Sequence, residues 1–221
     1  MGSLHGGTGF ARDDVGALIE RARRMARPGG RRILGITGPP GAGKSTLARQ
    51  LVDALGDAAR LVPMDGFHLA GAELVRLGRG DRKGAPDTFD AAGYVALLRR
   101  LRDPGAGTVY APEFRREIEE PIAGAIPVPA DVPLVVTEGN YLLVADEPWA
   151  GVRPTLDEAW YVDVDEERRM AWLVARHVAH GRAPGAARAW ALGTDQRNAE
   201  LVAATRGRAD RVVRLAAAPA P

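Results

Sequence analysis

Short apolar runs alternate along the chain with longer segments of helical spacing. Five of the runs have the length of buried strands; they span residues 33–37, 61–64, 134–137, 160–164 and 211–215. After the first run, apolar residues recur every four positions at Leu47, Leu51 and Leu55, which indicates a helix. Short apolar strands separated by helices predict an α/β domain whose parallel sheet is covered on both faces.

Capping residues and periodicity predict three more helices. One begins after Asp13 or Asp14, a second begins after Asp90, and a third runs from about residue 166 to residue 180. The segment 78–87 and the proline-rich segment 110–133 follow neither pattern. They are predicted to be long loops, which often carry function in a compact domain.

Length and composition bound the class of protein. The 221 residues, 46% hydrophobic and 26% charged, fit one globular domain, which we place at residues 13–221 after a flexible, Gly-rich arm at 1–12. No apolar run approaches the roughly 18 residues of a membrane span, and the N-terminus lacks a secretory pattern. The absence of cysteine excludes disulfides and a cysteine nucleophile. We expect a cytoplasmic protein without a membrane partner; the sequence leaves a homodimer open.

The charge balance argues against a nucleic-acid partner. The 30 basic and 28 acidic residues give a net charge of +2, whereas nucleic-acid-binding domains usually carry a clustered basic excess. Only two of the basic residues are lysines, Lys44 and Lys83. Because lysine and arginine are not interchangeable where a compact charge is needed, both lysines are candidates for function.

The most specific motif follows the first predicted strand and opens a helix. Residues 38–45 have the sequence GPPGAGKS, which fits G-x-x-x-x-G-K-S/T without a mismatch. Glycines in such a loop let N–H groups face phosphate oxygens, and the helix adds its positive N-terminal end. Lys44 would reach the β- and γ-phosphates, and Ser45 would bind Mg²⁺. The predicted nucleotide-binding residues are Gly38, Pro39, Pro40, Gly41, Ala42, Gly43, Lys44, Ser45 and Thr46.

Two carboxylates, Asp65 and Glu138, each follow a predicted strand and precede a glycine. Ligands of open α/β sheets bind beyond the carboxyl ends of the strands. Phosphoryl transfer to a hydroxyl needs an acceptor for the hydroxyl proton and ligands for the metal. Two carboxylates that face one phosphate site can divide these tasks, although a strand-terminal Asp is often only a turn residue.

These motifs together resemble a known family. They are GPPGAGKST at 38–46, MDGFHL at 64–69, KGAPDTFD at 83–90 and VVTEGNYLL at 135–143, and the segment 162–182 is similar to an Arg-bearing lid. The chain resembles the P-loop kinases that include pantothenate kinases, uridine kinases and phosphoribulokinases. Within that family it is most similar to fructose-transport-kinase-like and nucleoside-kinase-like members.

The resemblance implies a P-loop NTPase fold, a three-layer sandwich with a five-stranded parallel sheet and a helical lid at about residues 166–190. It implies an enzyme that uses ATP and Mg²⁺ to phosphorylate a hydroxyl of a small metabolite, such as a sugar, a nucleoside or a pantothenate-like compound. Asp65 would then be the base near the acceptor hydroxyl. Ser45 and Glu138 would hold the metal or its water.

The predicted lid helix presents Arg169, Arg176 and His180 on one face, because they are spaced by seven and four residues. By resemblance, Arg169 and Arg176 act with Lys44 as catalytic cations that neutralise charge during transfer, with Arg182 as a further candidate. The alternative is a solvated basic face. His177, which falls on the apolar side, is expected to be a packed histidine.

The acceptor pocket is predicted beside the segment similar to the family's K-G-x-P stretch. Its candidate wall residues are Phe67, His68, Lys83, Pro86, Asp87 and Arg115. Pantothenate kinases tend to have an aromatic-Ser-His stretch, and uridine kinases a Tyr-Asp, where this chain has Phe114-Arg115-Arg116. The difference argues against pantothenate and uridine as acceptors. Two arginines suit an anionic acceptor such as a phosphorylated sugar, or they are a solvated pair.

Two questions stay open at the level of sequence. A nucleotide-hydrolysing P-loop switch or assembly factor, without a small-molecule acceptor, is the alternative function, although the N-K-x-D motif of guanine-specific switches is absent. Asp195 and Asn198 lie in a segment similar to one of the fructose-transport-kinase relatives. They would lie near the adenine, or Asn198 would cap a helix.

Overall fold

A five-stranded parallel sheet organises the protein. The structure is a computed structural model and describes residues 13–27 and 29–215, so the predicted arm at residues 1–12 lies outside the described residues. The strands are β1 (Arg32–Thr37), β2 (Ala59–Pro63), β5 (Leu134–Glu138), β6 (Glu158–Val162) and β7 (Arg211–Val213). Their order across the sheet is β2-β5-β1-β6-β7, and every neighbouring pair is parallel.

Seven α-helices connect the strands within the described residues. They are α1 (Val15–Met25), α2 (Lys44–Leu55), α3 (Gly71–Arg76), α4 (Ala91–Arg102), α5 (Glu166–Ala179), α6 (Pro184–Trp190) and α7 (Gln196–Ala203). The side chain of Asp14 accepts from the N–H of Gly16, and that of Asp90 accepts from the N–H of Gly93. These bonds satisfy amides that a first helical turn leaves without partners, and both predicted caps are confirmed.

Alternate residues of the central strands face two separate hydrophobic cores. Ile33 and Val135 pack with α4 on one face, whereas Leu34 and Val136 pack with α1 and α2 on the other. All four side chains are fully buried. A sheet covered on both faces has no polar alternation, which explains the continuous apolar runs in the sequence. The predicted three-layer α/β fold is confirmed.

An antiparallel hairpin occupies part of the segment that was predicted to be a long loop, residues 110–133. Its strands are β3 (Val109–Arg115) and β4 (Glu120–Val128). The prediction was wrong because the prolines of this segment argued against a strand. A two-stranded ribbon leaves one edge of each strand unpaired, so it tolerates proline where a central strand would not.

All five predicted strands have slightly different limits in the structure, and β1 and β5 are each one residue longer than predicted. The second spans Ala59–Pro63 and is followed by a 3₁₀ turn at Met64–Phe67, while β6 and β7 each end two residues before their predicted ends. Within residues 13–27 and 29–215, no helix combines the length and the apolar character needed to cross a membrane.

Candidate active site

The phosphate-binding loop connects β1 to α2 at the carboxyl edge of the sheet. Gly41 and Gly43 have φ values of 84° and 88°, which L side chains rarely adopt. A Cβ at Gly41 would also lie 2.8 Å from the carbonyl oxygen of Arg169, so this glycine lets the loop approach α5. Helix α2 begins at Lys44 without a side-chain cap, and its first-turn amides are available to an anion.

Lys44 lies inside the loop rather than in solvent. Only 7% of the residue is exposed, and its Nζ donates to the carbonyl oxygen of Pro39 over 3.0 Å. Burial lowers the pKa of Lys44 to about 8, against the opposing effect of the Glu138 carboxylate. A bound phosphate would replace the carbonyl as a stronger partner for this ammonium.

Ser45 and Glu138 form a hydrogen-bonded pair beside Lys44. The Ser45 Oγ donates to Oε1 of Glu138 over 3.0 Å, and Glu138 is 7% exposed. Burial and then the charge of Asp65 raise the pKa of Glu138. The pair offers hard oxygen ligands of the kind that Mg²⁺ uses, and Mg²⁺ typically takes only one or two carboxylates plus substrate phosphates. The described residues hold no cluster of three or more His, Cys, Asp or Glu side chains that could bind a metal without such help.

Asp65 lies at the same edge of the sheet, in the 3₁₀ turn after β2. Strand β2 pairs with β5 so that Pro63 is opposite Glu138, and Asp65 follows two residues later. About a third of its side chain is exposed, and its Oδ2 accepts from Nη2 of Arg116 over 3.2 Å. The two predicted carboxylates therefore share one site, but only Glu138 is buried.

His68 and two phenylalanines form an aromatic wall next to Asp65. The His68 ring lies 4.0 Å from the Phe89 ring and 4.6 Å from the Phe114 ring, between centroids. Its Nδ1 is 2.8 Å from the carbonyl oxygen of Asp65, and burial lowers its pKa. Phe67 packs behind this wall, 5.1 Å from the ring of Tyr94.

Four other residues were predicted to line the acceptor pocket, and their contacts differ. Lys83 Nζ donates to the carbonyl oxygen of Glu119 and lies 5.1 Å from the centre of the Phe114 ring, so it borders the aromatic wall. Asp87, by contrast, pairs with Arg82 over 2.8 Å in its own loop. The backbone carbonyl oxygen of Pro86 accepts from Nε1 of Trp149. Arg115 forms an ion pair with Glu113 of the same strand.

The two predicted lid arginines have opposite environments. Arg169 is fully buried, and its guanidinium donates to Pro40 O (3.1 Å), to Gln196 Oε1 (2.6 Å) and to the Glu166 carboxylate. Arg176 is solvent-accessible, and none of the described residues forms a hydrogen bond or ion pair with its guanidinium. Desolvation and then the charge of Arg116 lower the pKa of Arg176, whereas the charges of Asp195 and Asp65 oppose this effect.

The remaining residues that were considered for the lid make their contacts outside the phosphate loop. Arg182 stacks on Trp190, with 4.2 Å between its Cζ and the ring centre. His177 is partly buried as predicted, but its Nε2 lies 2.7 Å from Oδ2 of Asp195. His180 lines an open cleft of about 940 Å³ together with the turn between β3 and β4.

Sequence reasoning missed two contacts that join distant segments. The pairing of Arg116 with Asp65 spans 51 positions, and only the Phe-Arg-Arg departure pointed to this stretch. Asn198 lies inside α7 and does not cap it; its Nδ2 donates to the carbonyl oxygen of Gly84 over 3.2 Å, beside Lys83. No local pattern predicts this second contact.

The fold and the loop define a P-loop phosphotransferase. Residues 33–186 match the model of the "Phosphoribulokinase / Uridine kinase family", and the chain belongs to this family. The chain is similar to the "ATP-dependent kinase-like protein notR'" of Aspergillus versicolor, with 36% identity over 65% of this chain and 88% of that protein. A "putative uridine kinase" of Schizosaccharomyces pombe is 32% identical over 74% of each chain.

A solved structure gives the same result for the fold. It is described as a "putative fructose transport system kinase" from Silicibacter sp. TM1040, and it superposes with a TM-score of 0.82. The identity is 36%, over 90% of this chain and 98% of the other. The protein is therefore an ATP-dependent kinase that transfers a phosphoryl group to a hydroxyl of a small metabolite, as predicted. Nothing found here favours the alternative of a switch or assembly factor.

Proposed function

We propose that the kinase transfers the γ-phosphoryl group of Mg²⁺-bound ATP to a hydroxyl of an acceptor bound between the β3–β4 turn and α5, with Asp65 as the base. The observation that carries this proposal is the placement of three groups at one sheet edge: the phosphate loop with Lys44, the Ser45–Glu138 pair, and Asp65. Lys44 and Glu138 are buried, whereas about a third of the Asp65 side chain is exposed.

The phosphates of ATP would bind the loop amides and the N-terminus of α2, with Lys44 on the β- and γ-phosphates. The nucleoside would occupy a second cleft of about 240 Å³, which reaches the loop at Ala42 and is bordered by Val164, Arg168 and Trp172. This cleft is lined by different residues from the one near His180, which supports separate entry of nucleotide and acceptor.

Mg²⁺ fits the Ser45 and Glu138 oxygens described above, and when bound it would neutralise charge on the β- and γ-phosphates. Glu138 must be ionised to hold it, and a bound cation would favour the ionised form against the burial that raises the pKa of Glu138. Ser45 already presents its hydroxyl at the start of α2, so the ligand geometry depends on the helix rather than on a flexible loop.

In the proposed step, the acceptor hydroxyl oxygen forms a bond to the γ-phosphorus while the bond from that phosphorus to the bridging oxygen of ADP breaks. The hydroxyl proton passes to a carboxylate oxygen of Asp65. Arg176 would approach the phosphoryl oxygens as charge develops, because its guanidinium has no protein partner among the described residues. Arg169 would hold the loop through Pro40.

The test is Asp65→Asn, after an acceptor is identified by an ATP-dependent screen of sugars, nucleosides, pantothenate and sugar phosphates. We expect a fall in the single-turnover rate of roughly 10²–10⁴-fold with nucleotide affinity little changed. The control is Asp57→Asn, because Asp57 is a fully exposed carboxylate at the opposite end of β2. Loss of Mg²⁺-nucleotide affinity would make Asp65 a metal ligand, and near-normal turnover would remove it from the mechanism.

A further inference from the structure

The base proposed for the reaction is already occupied by an arginine in this structure. Arg116, in the turn between β3 and β4, donates to Oδ2 of Asp65. An arginine on this oxygen competes with an acceptor hydroxyl for the same lone pairs. Proton transfer to Oδ2 of Asp65 therefore requires Arg116 to leave that oxygen.

The Arg116–Asp65 pair is exposed enough to be exchanged. The two side chains are 46% and 32% exposed, and ion pairs of such exposure contribute little to stability. The guanidinium also lies 5.8 Å from the centre of the Phe114 ring, on which it can remain stacked while its hydrogen bonds change partner. Arg169, which is fully buried with several partners, has no such freedom.

Positive charge gathers on the acceptor side of Asp65. Lys83 lies over the same Phe114 ring as Arg116, and Arg176 is close enough for the charge of Arg116 to lower its pKa. Of the acidic residues in and beside the turn, Glu119 pairs with Lys83 and Glu113 with Arg115. Glu117 lines the same cleft as Arg116 and forms no ion pair with it among the described residues.

We propose that the acceptor carries an anionic group, a carboxylate or a phosphate, and that this group draws Arg116 away from Asp65. The inference rests on the proposed function, since it matters only if Asp65 acts on the acceptor hydroxyl. Binding of the correct acceptor thereby frees the base. A neutral polyol offers Arg116 only uncharged hydroxyl oxygens, which compete poorly with the Asp65 carboxylate. Arg116 therefore determines specificity both by binding the anion and by releasing Asp65.

The first test measures anion binding without turnover. The protein is saturated with Mg²⁺ and a non-hydrolysable ATP analogue, so that the phosphate loop is filled, and inorganic phosphate or acetate is titrated while the arginine side-chain NMR signals are followed. We expect the Arg116 signal to shift, and we expect Arg116→Gln to weaken anion binding by about 10- to 100-fold. The control is Arg60→Gln, which breaks another 3.2 Å ion pair at the far end of β2.

A double variant separates contact from repulsion. Arg116→Gln leaves an unpaired Asp65 that would itself repel anions, whereas Arg116→Gln with Asp65→Asn removes both charges. If Arg116 is the anion contact, binding stays weak in the double variant. Wild-type anion affinity in either variant, or no shift of the Arg116 signal in the wild-type protein, overturns the proposal.

The second test compares acceptors of matched skeleton: glycerate with glycerol, fructose 6-phosphate with fructose, and pantothenate with pantothenol. We expect kcat/KM to favour the anionic member of any pair that is phosphorylated, with the carboxylate and phosphate pairs distinguishing the two anions. Arg116→Gln should reduce this preference by about 10- to 100-fold and Arg116→Lys by less, because lysine keeps the charge but loses the planar fork.

Equal loss for both members of a pair, or preference for the neutral member, overturns the proposal; if no pair is phosphorylated, the anion titration decides it. The titration is also independent of Asp65 as a base. If anions bind Arg116 while Asp65→Asn retains full turnover, the proposed function fails and the anion site stands.

Discussion

The nucleotide side and the acceptor side of this site are built in different ways. On the nucleotide side Lys44, Glu138 and Arg169 are at most 7% exposed, and hydrogen bonds to the loop or its neighbours hold each of them. On the acceptor side Asp65 and Arg116 are a third to a half exposed and pair with each other. The comparison suggests that phosphate binding is preorganised, whereas acceptor binding must exchange existing partners.

The difference has a physical origin. Every substrate nucleotide brings the same phosphates, so buried charges can be arranged once around them, and in a low dielectric they act strongly. Buried charges tolerate no mismatch, because an unpaired one is costly. Exposed ion pairs contribute little and can be broken at little cost. They suit a surface that must open for its ligand.

The largest effect is expected for Lys44→Ala. Phosphoryl transfer should fall by about 10³-fold or more, because this side chain places a buried charge at the β- and γ-phosphates. The fold should persist, since within the described residues the Lys44 ammonium donates one hydrogen bond, to the carbonyl oxygen of Pro39 in its own loop. Circular dichroism and single-turnover rates on one preparation provide the measurement. A folded variant with full activity would contradict the assigned loop.

A paired substitution of the two lid arginines separates buried from exposed charge. We expect Arg176→Met to lower kcat by about 10- to 100-fold, more than it weakens nucleotide binding, with stability within about 0.5 kcal/mol of wild type. Arg169→Met should instead reduce the free energy of unfolding by about 2–4 kcal/mol, because it removes a buried guanidinium with three partners.

Urea unfolding and steady-state kinetics measure both variants. Leu74 is buried in α3 and lines neither of the two clefts, so Leu74→Ala supplies a destabilised control whose kcat should not change in the folded fraction. Equal losses of unfolding free energy in the two arginine variants would show that burial of Arg169 contributes no more stability than the exposed Arg176.

These two arginines also show how far the sequence predicts the site. Their helical spacing places them on one face, and both were expected to act in catalysis, but spacing does not say which turn of α5 packs against the phosphate loop. The loop itself and both carboxylates follow from local sequence, because a glycine-rich motif between a strand and a helix has one geometry. Burial and pairing depend on contacts between distant segments.

The acceptor side shows the same limit. The hairpin of β3 and β4 was missed, although Val109 and Ala111 are buried around an exposed Tyr110, which is the alternation of a strand. Without the hairpin, nothing brings Arg116 to Asp65. The Ser45–Glu138 bond spans 93 positions but was within reach of the sequence, since both residues follow adjacent strands of a predictable sheet.

The pH dependence of nucleotide binding gives a smaller, graded effect. Burial lowers the pKa of Lys44 to about 8, and bound phosphates would favour its charged form. Above pH 8, nucleotide binding must therefore take up a proton, and we expect Kd to rise up to tenfold per pH unit. Below pH 8 Lys44 is already protonated, so it adds no pH dependence to Kd. Calorimetry in buffers of different ionisation enthalpy measures both Kd and the proton uptake.

The matched variant for this measurement is Lys44→Arg, because arginine stays protonated throughout the range. Its nucleotide affinity, even if lower, should show no slope from this source between pH 8 and 9. A slope that persists in Lys44→Arg would assign the titration to another group.

The smallest effect is expected at the contact that links α7 to the acceptor loop. The carbonyl oxygen of Gly84 accepts from both Asn198 on α7 and Tyr141 after β5, and it directly follows Lys83. Asn198→Ala removes one of the two donors to this oxygen. Lys83 should then keep its contacts but be positioned less precisely. We expect the KM of the acceptor to rise about 3- to 10-fold, the range of one neutral hydrogen bond, with the KM of ATP unchanged. Glu200→Ala, an exposed position on the same helix, is the control. A parallel rise in the KM of ATP would mean that Asn198 supports the nucleotide side, and the boundary between the two halves of the site would then lie elsewhere.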